Sequence, residues 1–197
     1  MKETTAKKKF MWNMAGSLCN SLSSMLLLII VNRISGESRG GFFALAYSTA
    51  QLLFSVGGFE IRPVQSTDIK NKFTFDQYFT SRMLNCIIML ICMIGYIVVN
   101  GYTGVEALTV FWILGYRMVE AVADVYSGLF QQRERIDISG KEMLMRSGIS
   151  TITFTIILWL TDNLLYAAMT LTLTSLVIML FYDLHMKKYF EPTPVHL

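Results

Sequence analysis

Long runs of residues without a single charged side chain constrain this sequence more than any other feature. A helix needs about 20 apolar residues to cross the roughly 30 Å of bilayer hydrocarbon. Four uncharged runs of about that length occupy residues 10–32, 40–59, 83–105 and 163–182. A fifth run, 143–161, is interrupted only by Arg146. Charged residues make up 16% of the chain, against about 25% in ordinary soluble domains, so the sequence predicts an all-α membrane protein.

A sixth helix is predicted over 107–132, although that stretch contains charged residues. We therefore expect one six-helix transmembrane lobe over 1–190 and a short polar tail over 191–197. The approximate spans are 10–32, 40–60, 82–105, 107–132, 143–161 and 163–184. The predicted connections are 33–39, 60–82, a short stretch around Glu106, 133–142, and a tight turn at Asp162 and Asn163. Six helices joined in this way form three consecutive hairpins.

Lysine and arginine residues gather on alternate connections. Fourteen of them fall in the N-terminal tail, the second and fourth connections and the C-terminal tail, whereas only Arg33 and Arg39 fall on the opposite side. Cytoplasmic segments of membrane proteins carry the excess of positive charge. Both termini are therefore predicted to be cytoplasmic.

Catalytic and metal-binding patterns are missing from the sequence. The three cysteines form no C-x-x-C pair, and the two histidines have no partners at metal-ligand spacing. We find neither a phosphate-cradling nucleotide loop nor a Ser/His/Asp constellation. The chain is predicted not to be an enzyme and to need no metal or cofactor, and nucleic acid is not an expected partner.

Polar side chains recur on one face of each of the first two helices. In the first helix the stripe consists of Asn13, Ser17, Asn20 and Ser24. In the second it consists of Ala44, Ser48, Gln51 and Ser55. Either stripe alone fits a close-packed seam between helices. Two adjacent stripes with amides favour a hydrated cavity, with Asn13, Asn20 and Gln51 as candidate lining residues.

The helix over 107–132 carries Arg117, Glu120 and Asp124 on one face. A charge at the membrane centre costs about 2.5–3.5 kcal/mol, so this face must turn away from lipid. Arg117 can pair with Glu120, and Asp124 lies one turn further, which leaves a net charge of −1 on this set. The set suits proton coupling and transport; the alternative is a structural ion pair that pins the helix to a neighbour. For Arg82, a cytoplasmic anchor is the preferred interpretation and contact with a phosphate headgroup is the alternative.

Three segments resemble bacterial polysaccharide flippases of the O-antigen and capsule type. They are 32–46, between the first two helices, 57–68, after the second, and 120–135, at the end of the fourth. These flippases belong to the superfamily that also contains the multidrug and toxin extrusion antiporters and the lipid II flippase. Its members have about twelve to fourteen helices in two six-helix lobes related as parallel repeats. The resemblance therefore implies that this chain corresponds to the N-terminal lobe: a fragment, a truncated product or a lobe that pairs with another.

The resemblance also implies a function. An undecaprenyl-diphosphate-linked oligosaccharide would be translocated across the bacterial cytoplasmic (inner) membrane by alternating access, for the biosynthesis of surface polysaccharide such as lipopolysaccharide. Arg117 would meet the anionic headgroup, with Glu120 and Asp124 tuning it or carrying protons. The amides of the two polar stripes would bind sugar. Expected partners are this substrate, membrane lipid, and a second six-helix lobe or another copy of the chain.

Other functions stay open on the sequence alone. The same fold would serve as one lobe of a cation-coupled multidrug antiporter. A membrane protein without transport activity, acting as a scaffold for a polysaccharide assembly, would need the polar stripes only for helix packing. A membrane glycosyltransferase is disfavoured because no loop carries a metal-binding carboxylate motif.

Overall fold

The computed structural model describes residues 5–58, 61–68, 70 and 72–190. Within these ranges the regular elements are all helical. They are α1 (Ala6–Gly58), α2 (Ile61–Thr67), α3 (Phe75–Val99), α4 (Gly104–Gln132), α5 (Ile136–Thr161), α6 (Leu164–Ile178), a π-helical turn (Met179–Asp183) and α7 (Leu184–Lys187). The polar tail predicted over 191–197 lies outside the described residues.

A single glycine folds α1 into two antiparallel arms. Gly36 has φ 83° and ψ 172°, a conformation that costs a residue with a Cβ far more than it costs glycine. The two arms contact each other well away from Gly36, where the Tyr47 hydroxyl donates to Ser24 Oγ at 2.9 Å. The first predicted hairpin is thus present, with one non-helical residue in place of the predicted seven-residue connection.

Four helical stretches are long and apolar enough to cross a membrane, judged by length and composition: Ala6–Ser55, Phe75–Val99, Ile136–Thr161 and Leu164–Lys187. The first of these is the stretch that Gly36 folds in two, and α4 adds a further long helix. On α3, the large side chains at 84, 87, 91 and 94 are each more than half exposed and recur at helical spacing, as expected of a lipid-facing stripe. The prediction of an all-α, six-helix membrane protein is confirmed.

Helix α4 lies at the centre of the bundle. It packs against α1, α2, α3, α5 and α6, while α1 also packs along α5 and α5 along α6. Sixteen of its 29 residues are buried, including Arg117 and Glu120. The charged face of α4 therefore turns inward, away from lipid.

Two connections lie elsewhere than predicted. Helix α3 ends at Val99 and α4 begins at Gly104, so Glu106 lies in the first turn of α4. The turn uses Gly101 at φ 68°, and the Asn-Gly pair that marks it is a common turn signal. Helix α5 begins at Ile136 rather than near 143. Most of the polar stretch 133–142, which was predicted as a loop, is therefore helical, and its polar side chains are largely buried.

The connection between α2 and α3 is organised by Asp68. Its carboxylate accepts the backbone N–H groups of Lys72 at 2.9 Å and Phe73 at 3.0 Å. These two hydrogen bonds hold the pKa of the Asp68 carboxyl below its usual value. The Asp68 carbonyl accepts Nε2 of Gln132 at 2.7 Å, so the connection is tied to the end of α4.

Candidate functional site

Arg117 lies on the inward face of α4 and is 3% exposed. Its Nη1 donates to Glu120 Oε2, as the spacing of three residues predicts. The guanidinium also lies 4.5 Å from the centre of the Tyr47 ring, a cation–π distance. Within the part of the chain that the structure describes, its Nε and Nη2 have no hydrogen-bond partner. Arg117 is thus held firmly while part of its donor set is unused.

Glu120 joins three helices. Besides Arg117, it accepts Nδ2 of Asn20 at 3.0 Å from α1, and Nη2 of Arg146 lies 3.9 Å away on α5. Asn20 and Arg117 were predicted at this site, whereas Arg146 was counted as a cytoplasmic cation. Two arginines therefore share one buried carboxylate.

A cavity of about 410 Å³ opens beside Arg117 and Glu120. Its walls come from both arms of α1 and from α4, as the two polar stripes predict. Its lining residues are Asn20, Ser21, Ser24, Tyr47, Ser48, Gln51, Phe54, Arg117 and Glu120. A second cavity of about 180 Å³ adjoins it through Asn20, Phe54 and Glu120 and reaches Asp124. The two cavities lie side by side along α4 and are together called the cleft.

Asp124 lies in a second ion network. Its Oδ1 accepts Nη1 of Arg62 at 3.0 Å and its Oδ2 accepts Nη2 of Arg82 at 2.9 Å. Arg82 is 0% exposed, so its interpretation as an interfacial anchor is wrong: the carboxylate of Asp124 draws it into the bundle. The net charge of −1 expected from the sequence covers Arg117, Glu120 and Asp124 alone. Arg62, Arg82 and Arg146 of other helices pair with these carboxylates, and Glu142 pairs with Arg146.

The residues predicted at the site are only partly brought together. Arg117, Glu120, Asn20 and Gln51 border the larger cavity, and Asp124 borders the smaller one. Asn13 is half-buried where α1 crosses α5, and neither it nor Arg82 borders either cavity. The substrate-binding roles predicted for Asn13 and Arg82 therefore stay predictions, and their positions outside these two cavities do not support them.

Sequence reasoning missed Glu142 and Arg146. They lie four residues apart on α5, Nε of Arg146 donates to Glu142 Oε1 at 2.6 Å, and both are almost fully buried. The Glu-x-x-x-Arg spacing was a visible signal, because it places both side chains on one face of a helix. It was passed over because the stretch before 143 was assigned to a loop.

The bundle and its charged, open interior define a polytopic membrane protein, and comparison with known families makes the class more specific. A family model described as polysaccharide biosynthesis protein matches residues 6–196. The chain belongs to this polysaccharide biosynthesis family, and the predicted resemblance to bacterial polysaccharide flippases is confirmed. Members of the family are transporters and flippases rather than enzymes. Neither the curated proteins nor the solved structures gave a match.

Proposed function

We propose that this chain is the N-terminal lobe of a flippase that moves undecaprenyl-diphosphate-linked oligosaccharide across the bacterial cytoplasmic membrane by alternating access. The observation that carries the proposal is Arg117. It stands at the wall of an open cavity, oriented by Glu120 and Tyr47, and two of its buried nitrogens have no hydrogen-bond partner among the described residues. Arginine N–H groups in that state suit the oxygens of a diphosphate, which accept several charge-assisted hydrogen bonds.

Charge favours this substrate over a cationic drug. The charged residues that line the two cavities are Arg62, Arg117 and Arg146 against Glu120 and Asp124. A lining with more arginines than carboxylates favours an anion over a cation in a low-dielectric surrounding, even though Glu142, behind the lining, also pairs with Arg146. The alternative of a multidrug antiporter lobe is weakened for this reason.

The open side of the cleft supports a second lobe as partner. Ser21, Ser48 and Gln51 border the larger cavity and are exposed. Polar side chains in the middle of a membrane helix face protein or water rather than acyl chains. A second six-helix lobe, or another copy of this chain, would cover this side and leave a polar passage for the sugar and diphosphate.

The proposed orientation keeps both termini in the cytoplasm. Arg82, Arg146 and Lys187 are engaged inside the bundle, so they no longer count as interfacial cations, while Arg62 is partly exposed and pairs with Asp124. The end of the bundle near α2 still carries most of the remaining lysines and arginines, while Arg33 and Arg39 lie at the Gly36 end. The direction of the charge bias is unchanged.

Replacing Arg117 with alanine is expected to weaken binding of an undecaprenyl-diphosphate sugar at least about tenfold. Each charge-assisted hydrogen bond lost is worth about 1.5–3 kcal/mol, and about 1.4 kcal/mol is a factor of ten. Binding is measured on the purified chain by native mass spectrometry in lipid nanodiscs. Arg33→Ala is the matched control, because it removes the same charge from an exposed site next to the Gly36 break.

The same variants separate the competing functions. Equal affinity of folded Arg117→Ala and the parent chain, or tighter binding of a cationic drug than of the lipid diphosphate, would contradict the proposal. In a strain that depends on this gene for surface polymer, Arg117→Ala is expected to lower polymer export and Arg33→Ala to leave it unchanged. Full export with Arg117→Ala would favour the scaffold instead.

A further inference from the structure

Asp183 is a buried carboxylate outside the candidate substrate cleft. It is the last residue of the π-helical turn that follows α6, and its side chain is 0% exposed. Neither carboxylate oxygen has a hydrogen-bond partner within the residues that the structure describes. An ionised carboxylate in such a place is strongly unfavourable, because no donor replaces the water it has lost. π-helical turns inside α-helices often mark functional sites.

Glu142 is a second buried carboxylate, and it lies on α5, which packs against the π-helical turn. The charged groups that act on Asp183 are Glu142 and Arg146 of α5. Tyr126 of α4 and the adjacent Tyr182 lie within reach of its charge, and the buried Lys187, one turn further on, lies over the Phe75 ring. Glu142 is 1% exposed, and its Oε1 accepts a hydrogen bond from Nε of Arg146. Its Oε2 has no hydrogen-bond partner among the described residues.

Arg146 cannot neutralise every carboxylate around it. Its Nε is bound to Glu142, and its Nη2 lies 3.9 Å from Glu120. With Arg117 as the only other arginine paired to Glu120 among the described residues, three carboxylates face two guanidiniums. Asp183 is the one carboxylate of these three that no arginine pairs with among the described residues.

We propose that Asp183 and Glu142 form a buried proton-binding site that holds one proton between them. A proton supplies the missing charge and needs no space, and neither of the two cavities of the cleft borders Asp183. The proton comes from water and adds to a carboxylate oxygen, so no other bond forms or breaks.

Arg146 links the proposed proton site to the cleft. Arg146 contacts Glu142 on one side and Glu120, in the cavity wall, on the other. Because coupling between two binding sites is reciprocal, a charge that enters the cleft changes the proton affinity of the pair. Proton binding itself does not depend on the proposed transport function and is measured without any substrate.

Asp183→Asn tests the site directly. In the folded parent chain Asp183 keeps a proton that it loses on unfolding above about pH 4, so the unfolded state binds fewer protons and stability falls as pH rises. Relative to Asp183→Asn, the unfolding midpoint of the parent chain in detergent is expected to decrease between pH 5 and pH 8. Asp162→Asn, which changes an exposed carboxylate paired with Arg39, is the matched control and is expected to keep the parent's pH dependence.

Infrared spectroscopy gives a second readout. The parent chain is expected to show the carbonyl band of a protonated carboxyl at neutral pH, and Asp183→Asn to lack it. In Glu142→Gln, the neighbouring negative charge is removed, so the band is expected to disappear at a lower pH than in the parent chain.

Several results would overturn the proton site. They are the same spectrum and pH dependence in the parent chain and Asp183→Asn, loss of the fold in Asp183→Asn at every pH, or an unchanged band in Glu142→Gln. Stabilisation by NaCl over KCl at fixed pH that is lost in Asp183→Asn would assign the pair to a sodium ion instead.

Discussion

Alanine at position 140 is expected to destabilise the bundle by about 3 kcal/mol, the upper end of the usual range for overpacking. Gly140 of α5 crosses the first arm of α1 at backbone contact. A Cβ there would lie 2.3 Å from the carbonyl oxygen of Trp12 and 2.5 Å from the backbone nitrogen of Asn13. Gly16 completes the crossing, since its own Cβ would lie 2.2 Å from the Gly140 oxygen. Backbone atoms cannot rotate aside, so the two helices must separate.

The measurement is the unfolding midpoint of Gly140→Ala in detergent, together with the yield of monodisperse protein. Gly95→Ala is the matched control, because Gly95 lies within α3 and a Cβ there meets nothing within 4 Å. It is expected to behave like the parent chain. Equal loss of stability in both variants would show that the crossing of α1 and α5 is not packed as closely as the structure has it.

The fold was predictable because lipid imposes a demand that can be read along the chain. Inside the membrane, backbone N–H and C=O groups must be hydrogen-bonded and charged side chains are costly. Charge-free runs of the right length therefore identify membrane helices. The sequence could not distinguish a loop from a one-residue break at Gly36, because Ser38, Gly40 and Gly41 suit either. Where polar residues form a buried turn of helix, as from Ile136 to Glu142, composition alone indicated a connection.

The candidate site was predictable only on the helix that carries it. Periodicity placed Arg117, Glu120 and Asp124 on one face, and the α1 stripes indicated the opposing walls. Long-range partners carried no such signal: Arg62 and Arg82 reach Asp124 across 62 and 42 positions of sequence. An arginine at a helix end has the same local pattern whether it anchors at the interface or pairs inside the bundle, so these residues were assigned to the interface.

Asp124→Asn is expected to cost about 3–5 kcal/mol of folding free energy, the range for breaking a buried ion pair from one side. Arg82 is fully buried and would lose the carboxylate 2.9 Å from its Nη2, while Arg62, at 27% side-chain exposure, can turn to water. The change is measured as the shift of the unfolding midpoint in detergent. Asp162→Asn, at an exposed pair with Arg39, is expected to cost less than about 1 kcal/mol.

A double variant separates a structural role of Asp124 from a role in transport. Replacing a whole buried ion pair by apolar residues of similar size is often neutral or stabilising, so Arg82→Met with Asp124→Leu is expected to recover most of the lost stability. If the recovered protein also supports polymer export, Asp124 serves to hold α3 and α2 on α4, and the proton-carrying role predicted for it fails. If the double variant is stable but inactive, the smaller cavity, which Asp124 borders, is part of the substrate path. Arg62 and Arg82 then act on the substrate through the Asp124 carboxylate with which they pair. Parental stability in Asp124→Asn itself would contradict the ion network on which this argument rests.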